Sequence, residues 1–190
     1  MSKITEISGE DAVRIFYYLM AVDGKISQEE EEKFEIIAKE LDSYFELHKE
    51  RIISSCQEQL SKTIDEEDYY DVIQEGVGDV LDSYVSNNYM FPGEISNRIV
   101  VWNLLVIAIS DGRYANQERK LIKYVVRRMD VEKSVFEEME NAIRALDALE
   151  KQKTWVKTTN KSYLVIETLV NELENRRNVI KGSIEELMIV

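Results

Sequence analysis

The sequence predicts an all-α protein: a multi-helix bundle with an internal pseudo-two-fold repeat of helix, Asp-Gly turn and helix, followed by a C-terminal helical hairpin. Three observations predict it. The 190 residues include one proline and seven glycines, which favours long uninterrupted helices. Apolar residues recur every three or four positions through most of the chain, the spacing of one helix face. The same exit from an apolar helix occurs twice, at Asp23-Gly24 and at Asp111-Gly112.

The elements follow in order. Ser8 is placed to cap a helix over 10–22, with Asp11 in its first turn and Val13, Phe16, Tyr17, Met20 and Ala21 on one face. Gly24 ends it as a C′ glycine. Ser27 and Glu30 form a capping box that opens a second helix to about Leu41, with Phe34, Ile37, Ala38 and Leu41 inward and an acidic outer face. A third helix runs over 43–61 on Phe45, Ile52, Cys56 and Leu60. Asp65 begins a fourth, to about Val85, using Tyr70, Ile73, Val77, Leu81 and Tyr84. Gly76 and Gly78 weaken that helix unless another helix packs closely there. The run GVGD lacks the strand-loop-helix setting of a phosphate loop. Asn87 to Gly93 is the strongest loop signal and divides the chain near its middle.

The next stretch, Ile99 to Ile109, is broken only by Asn103. A helix apolar on every side is normally buried, so the helix over 94–110 is the expected hub. Its eleven-residue run falls short of the about 20 residues that span a bilayer. Helices follow over 116–129 and 132–150. The basic segment 151–162 around Trp155 either continues the latter helix or turns a hairpin. A last helix, about 161–181, carries Ile166, Leu169, Val170, Leu173 and Ile180. Gly182 and a second box, Ser183 to Glu186, precede the apolar tail Leu187–Val190, which should pack in cis or on a partner. These elements suggest a domain over 1–150 with a helical extension over 151–190 packed on it.

Charge and cysteine content narrow the function classes. The net charge is −13, which disfavours nucleic acid as a partner. Residues 1–95 hold 8 Lys and Arg against 23 Asp and Glu, whereas residues 96–190 hold 16 against 14. Arg119, Lys123 and Arg127 fall four apart on one helix stripe, either a solvated face near the acidic half or a docking stripe for an anionic partner or membrane surface. One cysteine, Cys56, makes no internal disulfide and fits a reducing cytoplasm, and no leader segment is visible at the N-terminus. A Ser-His-Asp or Cys-His arrangement could use only His48, and a Cys/His zinc site has too few ligands. A di-metal carboxylate bundle wants Glu-x-x-His, but Glu46 stands two residues before His48 rather than three. The expectation is a protein without enzymatic activity.

An offset of 88 residues superposes the two exits. Asp23 falls on Asp111, Gly24 on Gly112 and Glu30 on Glu118; Phe34, Ile37, Ala38 and Leu41 fall on Ile122, Val125, Val126 and Met129. Ser27 falls on Ala115, so either Asn116 caps the second copy or that turn is built differently. The spacing resembles the second half of an EF-hand loop, yet Leu19 and Ala21, and Ile107 and Ile109, stand where its first carboxylates belong. A regular EF-hand is excluded. The acids then have two readings: turn and helix caps, or oxygen ligands (Asp23, Glu30, Asp111 and Glu118) for a divalent cation such as Ca, Mg, Mn or Zn, with water completing the shell.

The motif Asp23-Gly24-Lys25-Ile26-Ser27-Gln28-Glu29-Glu30 after an apolar helix, with a second copy departing at Tyr114 and Ala115, resembles the tellurite-resistance TerB-like family. It also resembles the N-terminal domain of the DjlA co-chaperone. The resemblance covers roughly residues 10–145. It implies an all-helical, internally pseudo-symmetric domain with a non-enzymatic role in stress response or membrane-associated protein complexes, and divalent-cation binding at acidic residues. The expected function is therefore a cytoplasmic interaction or scaffold domain with a protein partner; the alternative is a divalent-cation-binding regulatory domain using the two turns. Homo-oligomerisation and peripheral membrane contact are both compatible with the composition.

Overall fold

In the computed structural model, which describes residue 4 and residues 6–87 and 95–189, the chain is helical nearly throughout. Eight helices and one two-stranded ladder are found among the described residues: β1 (Glu6–Ile7), α1 (Gly9–Ala21), α2 (Gln28–Leu41), α3 (Phe45–Leu60), α4 (Tyr69–Asn87), β2 (Ile95–Ser96), α5 (Asn97–Ala108), α6 (Asn116–Arg128), α7 (Lys133–Lys157) and α8 (Tyr163–Ile189). The loop read at 87–93 lies, from residue 88 on, outside the described residues. No described helix is long and apolar enough to cross a membrane.

The chain divides into two compact units, residues 1–133 and 134–190. The boundary expected at 150 falls inside α7, because its apolar periodicity continues through Trp155 and Val156 and nothing interrupts it until Thr158. The second unit is a hairpin of α7 and α8. Lys153 Nζ ties the two helices, bonding Glu150 of α7 and Glu174 of α8. Gly182 and Ser183 do not break α8. The Ser183 hydroxyl donates to Val179 O at 3.3 Å, so the second box expected at Ser183–Glu186 is absent and the helix runs on to Ile189.

In the first unit the centre is α1, not α5. Ten of the thirteen residues of α1 are buried, and it packs against α2, α3, α4, α5 and α6. Six of twelve are buried in α5; Ile99, Trp102, Asn103 and Val106 are only half-covered. An uninterrupted apolar run marked both as interior helices. It could not show how many neighbours each would have. Tyr17, Phe34 and Phe45 lock α1, α2 and α3 through edge-to-face contacts at 6.3 and 5.8 Å, each worth roughly 0.5–1.5 kcal/mol beyond the area covered.

Elements compared at the 88-residue offset start 88 residues apart. Helix α1 starts at Gly9 and α5 at Asn97; α2 starts at Gln28 and α6 at Asn116. Ser8 Oγ accepts from Asp11 N, and Ser96 Oγ from Ile99 N. At Gly9 the backbone comes so close to the end of α2 that a Cβ would lie 2.8 Å from Leu41 O. At the equivalent place Asn97 Nδ2 donates to Met129 O at 2.9 Å. In the ladder, Ile7 pairs antiparallel with Ile95, also 88 residues away. The two stretches differ at the ends of α2 and α6. Asp130 is left-handed (φ 53°) and Val131 N reaches back to Val126 O, whereas Asp42 is extended.

Gly76 explains itself by contact. A Cβ there would stand 2.8 Å from Cζ of Tyr18, so α4 crosses α1 over this residue. In open space Gly→Ala in a helix would stabilise by about 0.5–1 kcal/mol. Gly76→Ala is instead expected to lower stability by about 1–3 kcal/mol through overpacking, measured as a lower urea midpoint at unchanged slope. A higher midpoint would show that α4 and α1 do not meet there.

Candidate acidic site at the paired turns

Both Asp-Gly turns are built from the same hydrogen bonds save one. In the first, Gly24 has φ +80° and donates to Ala21 O at 2.9 Å. Only a residue without Cβ adopts that angle without strain. Asp23 Oδ1 then accepts from Lys25 N at 3.0 Å. Ser27 and Glu30 complete the box: Glu30 N donates to Ser27 Oγ at 3.1 Å and Ser27 N to Glu30 Oε2 at 2.8 Å. The second turn repeats the set at Gly112 (φ +79°), with Arg113 N to Asp111 Oδ1 at 2.8 Å and Ala115 N to Glu118 Oε2 at 2.6 Å. Alanine has no hydroxyl, so this is half a capping box and the amide of Glu118 has no side-chain cap. Asn116 does not replace it; it is the first residue of α6.

The structure brings the four acids chosen from sequence into one neighbourhood. Asp23 and Asp111 are exposed, whereas Glu30 and Glu118 are buried, 5% and 4% exposed. Burial raises the carboxyl of Glu118 to about 8, against the pull of the Ala115 amide; the charges of Glu30, Asp23 and Asp111 raise it further. Glu30 is raised for the same reasons: burial first, opposed by the Ser27 backbone and hydroxyl, with Asp111 and Asp23 adding repulsion. Each glutamate thus feels carboxylates from the other turn, 88 residues away. The gathering is one of charge. Among the described residues no group of three or more Asp, Glu, His or Cys side chains is arranged to hold an ion. Glu30 and Glu118 spend Oε2 on those amides, so each would offer an ion Oε1, or Oε2 only by releasing its amide.

A cleft of about 750 Å³ opens beside the first turn. Asp23, Asp65, Glu66, Tyr69, Tyr70 and Gln117 line it, with Thr63 and Ile64. The Tyr69 hydroxyl donates to Ala21 O at 2.8 Å and so holds the start of α4 against the end of α1. The Lys120 ammonium lies 3.6 Å from the Tyr70 ring centroid. Sequence reasoning missed this cleft. The run Asp65-Glu66-Glu67-Asp68 read as a helix start. It forms instead a turn in which Asp65 Oδ1 accepts from Glu67 N and Asp68 N, ahead of α4 at Tyr69. The acid run immediately before two tyrosines was the available signal.

The remaining candidates take structural places. His48 is 38% exposed on α3, its Nδ1 3.8 Å from Glu10 Oε2. Cys56 lies on the same helix, eight residues on and roughly 12 Å away along the axis. Burial pushes its thiol up to about 11, so it is a poor thiolate nucleophile. On α6, Arg119 and Lys123 are half-buried and Arg127 is exposed. Neighbouring cations of α6 turn to α4: Lys120 to Tyr70, and Arg128 to Asp82. Comparison of the chain with protein-family models, with curated proteins and with solved structures finds no match in any of the three.

Two outcomes are expected from the turns. Ala115→Ser would complete the second box by giving Glu118 N an acceptor, and should raise stability by about 0.5–1 kcal/mol in chemical denaturation; no gain would mean that the serine hydroxyl does not reach that amide. The pH dependence follows from Glu118. An unfolded glutamate ionises near about 4.3, so between there and about 8 the folded chain holds a proton that the unfolded chain has lost. The stability due to this group is complete below the lower value and is lost as pH rises through the upper one. Glu118→Gln stays neutral and keeps an acceptor for Ala115 N. Its melting temperature should exceed that of the unsubstituted chain at pH 8.5 and converge with it near pH 5. A constant difference between the two would place the ionisation elsewhere.

Proposed function

We infer that the first unit is a duplicated, non-enzymatic interaction domain of the kind the TerB-like resemblance implies, and that its paired Asp-Gly turns are a divalent-cation-responsive element. The gathering of Asp23, Glu30, Asp111 and Glu118 is the observation that carries this reading. Turns that served only as caps could stand anywhere on the surface. Here two of them bring like charges together, an arrangement that costs stability unless a proton or a cation offsets it. The duplication is supported by the 88-residue interval of the elements and by the ladder. A residue that pairs antiparallel with its own equivalent, as Ile7 does with Ile95, lies beside a local two-fold axis.

The cation would be bound by oxygen atoms. Asp23 and Asp111 each keep one carboxylate oxygen beyond the Oδ1 that accepts an amide. Glu30 and Glu118 each keep Oε1. Hard cations with flexible coordination suit such a set. Release of the caps on binding would couple the ion to the first turns of α2 and α6, and through them to whatever partner those helices meet. The role in stress response or in membrane-associated complexes rests on the resemblance alone.

The test is thermal melting of EDTA-stripped protein with and without millimolar Ca²⁺, Mg²⁺, Mn²⁺ or Zn²⁺. Ligand at 100 times its Kd stabilises by about 2.7 kcal/mol, enough to move the midpoint by several degrees. The shift should vanish in Asp23→Asn with Asp111→Asn, a pair that keeps both Oδ1 acceptors and hence the turns. No shift with any of the four ions would leave the acids as helix caps.

A further inference from the structure

We propose that the tip of the α7–α8 hairpin docks on an anionic lipid bilayer. The inference uses none of the carboxylates of the paired turns and lies outside the stretch that carries the family resemblance. Helix α7 ends at Lys157 and α8 begins at Tyr163, so residues 158–162 form the tip. Four large apolar side chains are exposed within one helical turn of it: Trp155 (62%), Tyr163 (75%), Leu164 (73%) and Val165 (43%). They make up four of the eleven exposed large hydrophobic residues of the described chain, gathered within eleven positions. Packing within the hairpin does not require this, since Val156 beside them is buried at 3%.

The charge at the tip favours one occupant. No acidic residue lies between Glu150 and Glu167, whereas Lys151, Lys153, Lys157 and Lys161 do. Lys151 and Lys153 pair with acids further along the hairpin. Lys157 and Lys161 are exposed at the tip itself. In a chain of net charge −13 this is a local reversal of sign. Trp and Tyr favour the bilayer interface, where the ring is apolar and one edge stays wet, and lysines beside them meet acidic headgroups. The backbone suits insertion too. Thr158 N and Oγ1 both bond Trp155 O, and Thr159 N and Oγ1 both bond Val156 O, so the last turn of α7 presents satisfied carbonyls.

The test is sedimentation of the full chain, in EDTA, with two kinds of vesicle. One is phosphatidylcholine alone; in the other roughly a third of the lipid is phosphatidylserine, which gives the surface a negative potential. Binding is expected to the mixed vesicles only. A Trp102→Phe chain, with Trp155 as its one indole, should show a blue-shifted emission on binding. Each lysine near an anionic surface contributes roughly fivefold in affinity, so Lys157→Gln with Lys161→Gln should weaken binding by roughly 25-fold. Trp155→Ser with Leu164→Ser, both at exposed positions, should abolish binding without changing helicity. The Asp23→Asn, Asp111→Asn chain should bind as well as the unsubstituted one, which separates this result from the fate of the turns. Absence of binding, equal binding to neutral vesicles, or unchanged binding by the serine pair would overturn the proposal. A change of oligomeric state in the serine pair, without vesicle binding in the unsubstituted chain, would overturn it in favour of a second copy of the chain.

Discussion

The near-complete burial of α1 is the constraint on which the first unit depends. A helix with ten of thirteen residues covered needs neighbours on all sides. Here α2 to α6 supply them. That requirement decides where close approach is needed. Gly76 lets α4 cross at Tyr18, and Gly9 lets the end of α2 reach the start of α1. It also decides how α1 must end. A helix so enclosed can leave the core only by an abrupt turn, and Gly24 at φ +80° provides one. The Tyr69 hydroxyl then gives Ala21 O, which already accepts from Gly24 N, a second hydrogen bond.

The acidic turns carry an electrostatic tension. Glu30 and Glu118 satisfy amides at the helix starts, and a negative charge there is favoured by the helix dipole. Burial and the mutual field of the four carboxylates act against that charge. The balance differs between the copies. Ser27 supplies a hydroxyl beside Glu30, whereas Ala115 supplies none beside Glu118. The second turn therefore holds the more strongly raised carboxyl and the less complete cap. One alanine in place of serine leaves the second turn with half a box and with the carboxyl that is raised further.

The hairpin of α7 and α8 follows a different logic. A pair of helices has too few faces to cover its apolar residues, and α8 buries only Leu173 and Ile184. Lys153 cross-links the two helices by holding acids of both. The apolar residues left at the tip are then a property of the surface, not of the core. Their company of lysines gives that surface a character opposite to the acidic turns.

Residue patterns alone determined a good deal. Helical periodicity and the scarcity of proline and glycine specify an all-α chain, and helix ends with local chemistry, Ser8, Ser27 and Glu30, lie where the pattern puts them. Asp23, Glu30, Asp111 and Glu118 were legible as a related set, because turn and cap motifs are local in sequence. What required tertiary structure was everything set by neighbours. Periodicity does not reveal that α1 has more of them than α5, nor that two turns 88 residues apart share one field. It missed the cleft with Tyr69 and Tyr70, since its walls come from three separate segments. It placed the boundary at 150, where polarity changes, whereas α7 runs unbroken from Lys133 to Lys157. The physical reason is common to all four cases: a helix records in sequence which face is apolar, but which element covers that face, and how closely, depends on residues far away in the chain.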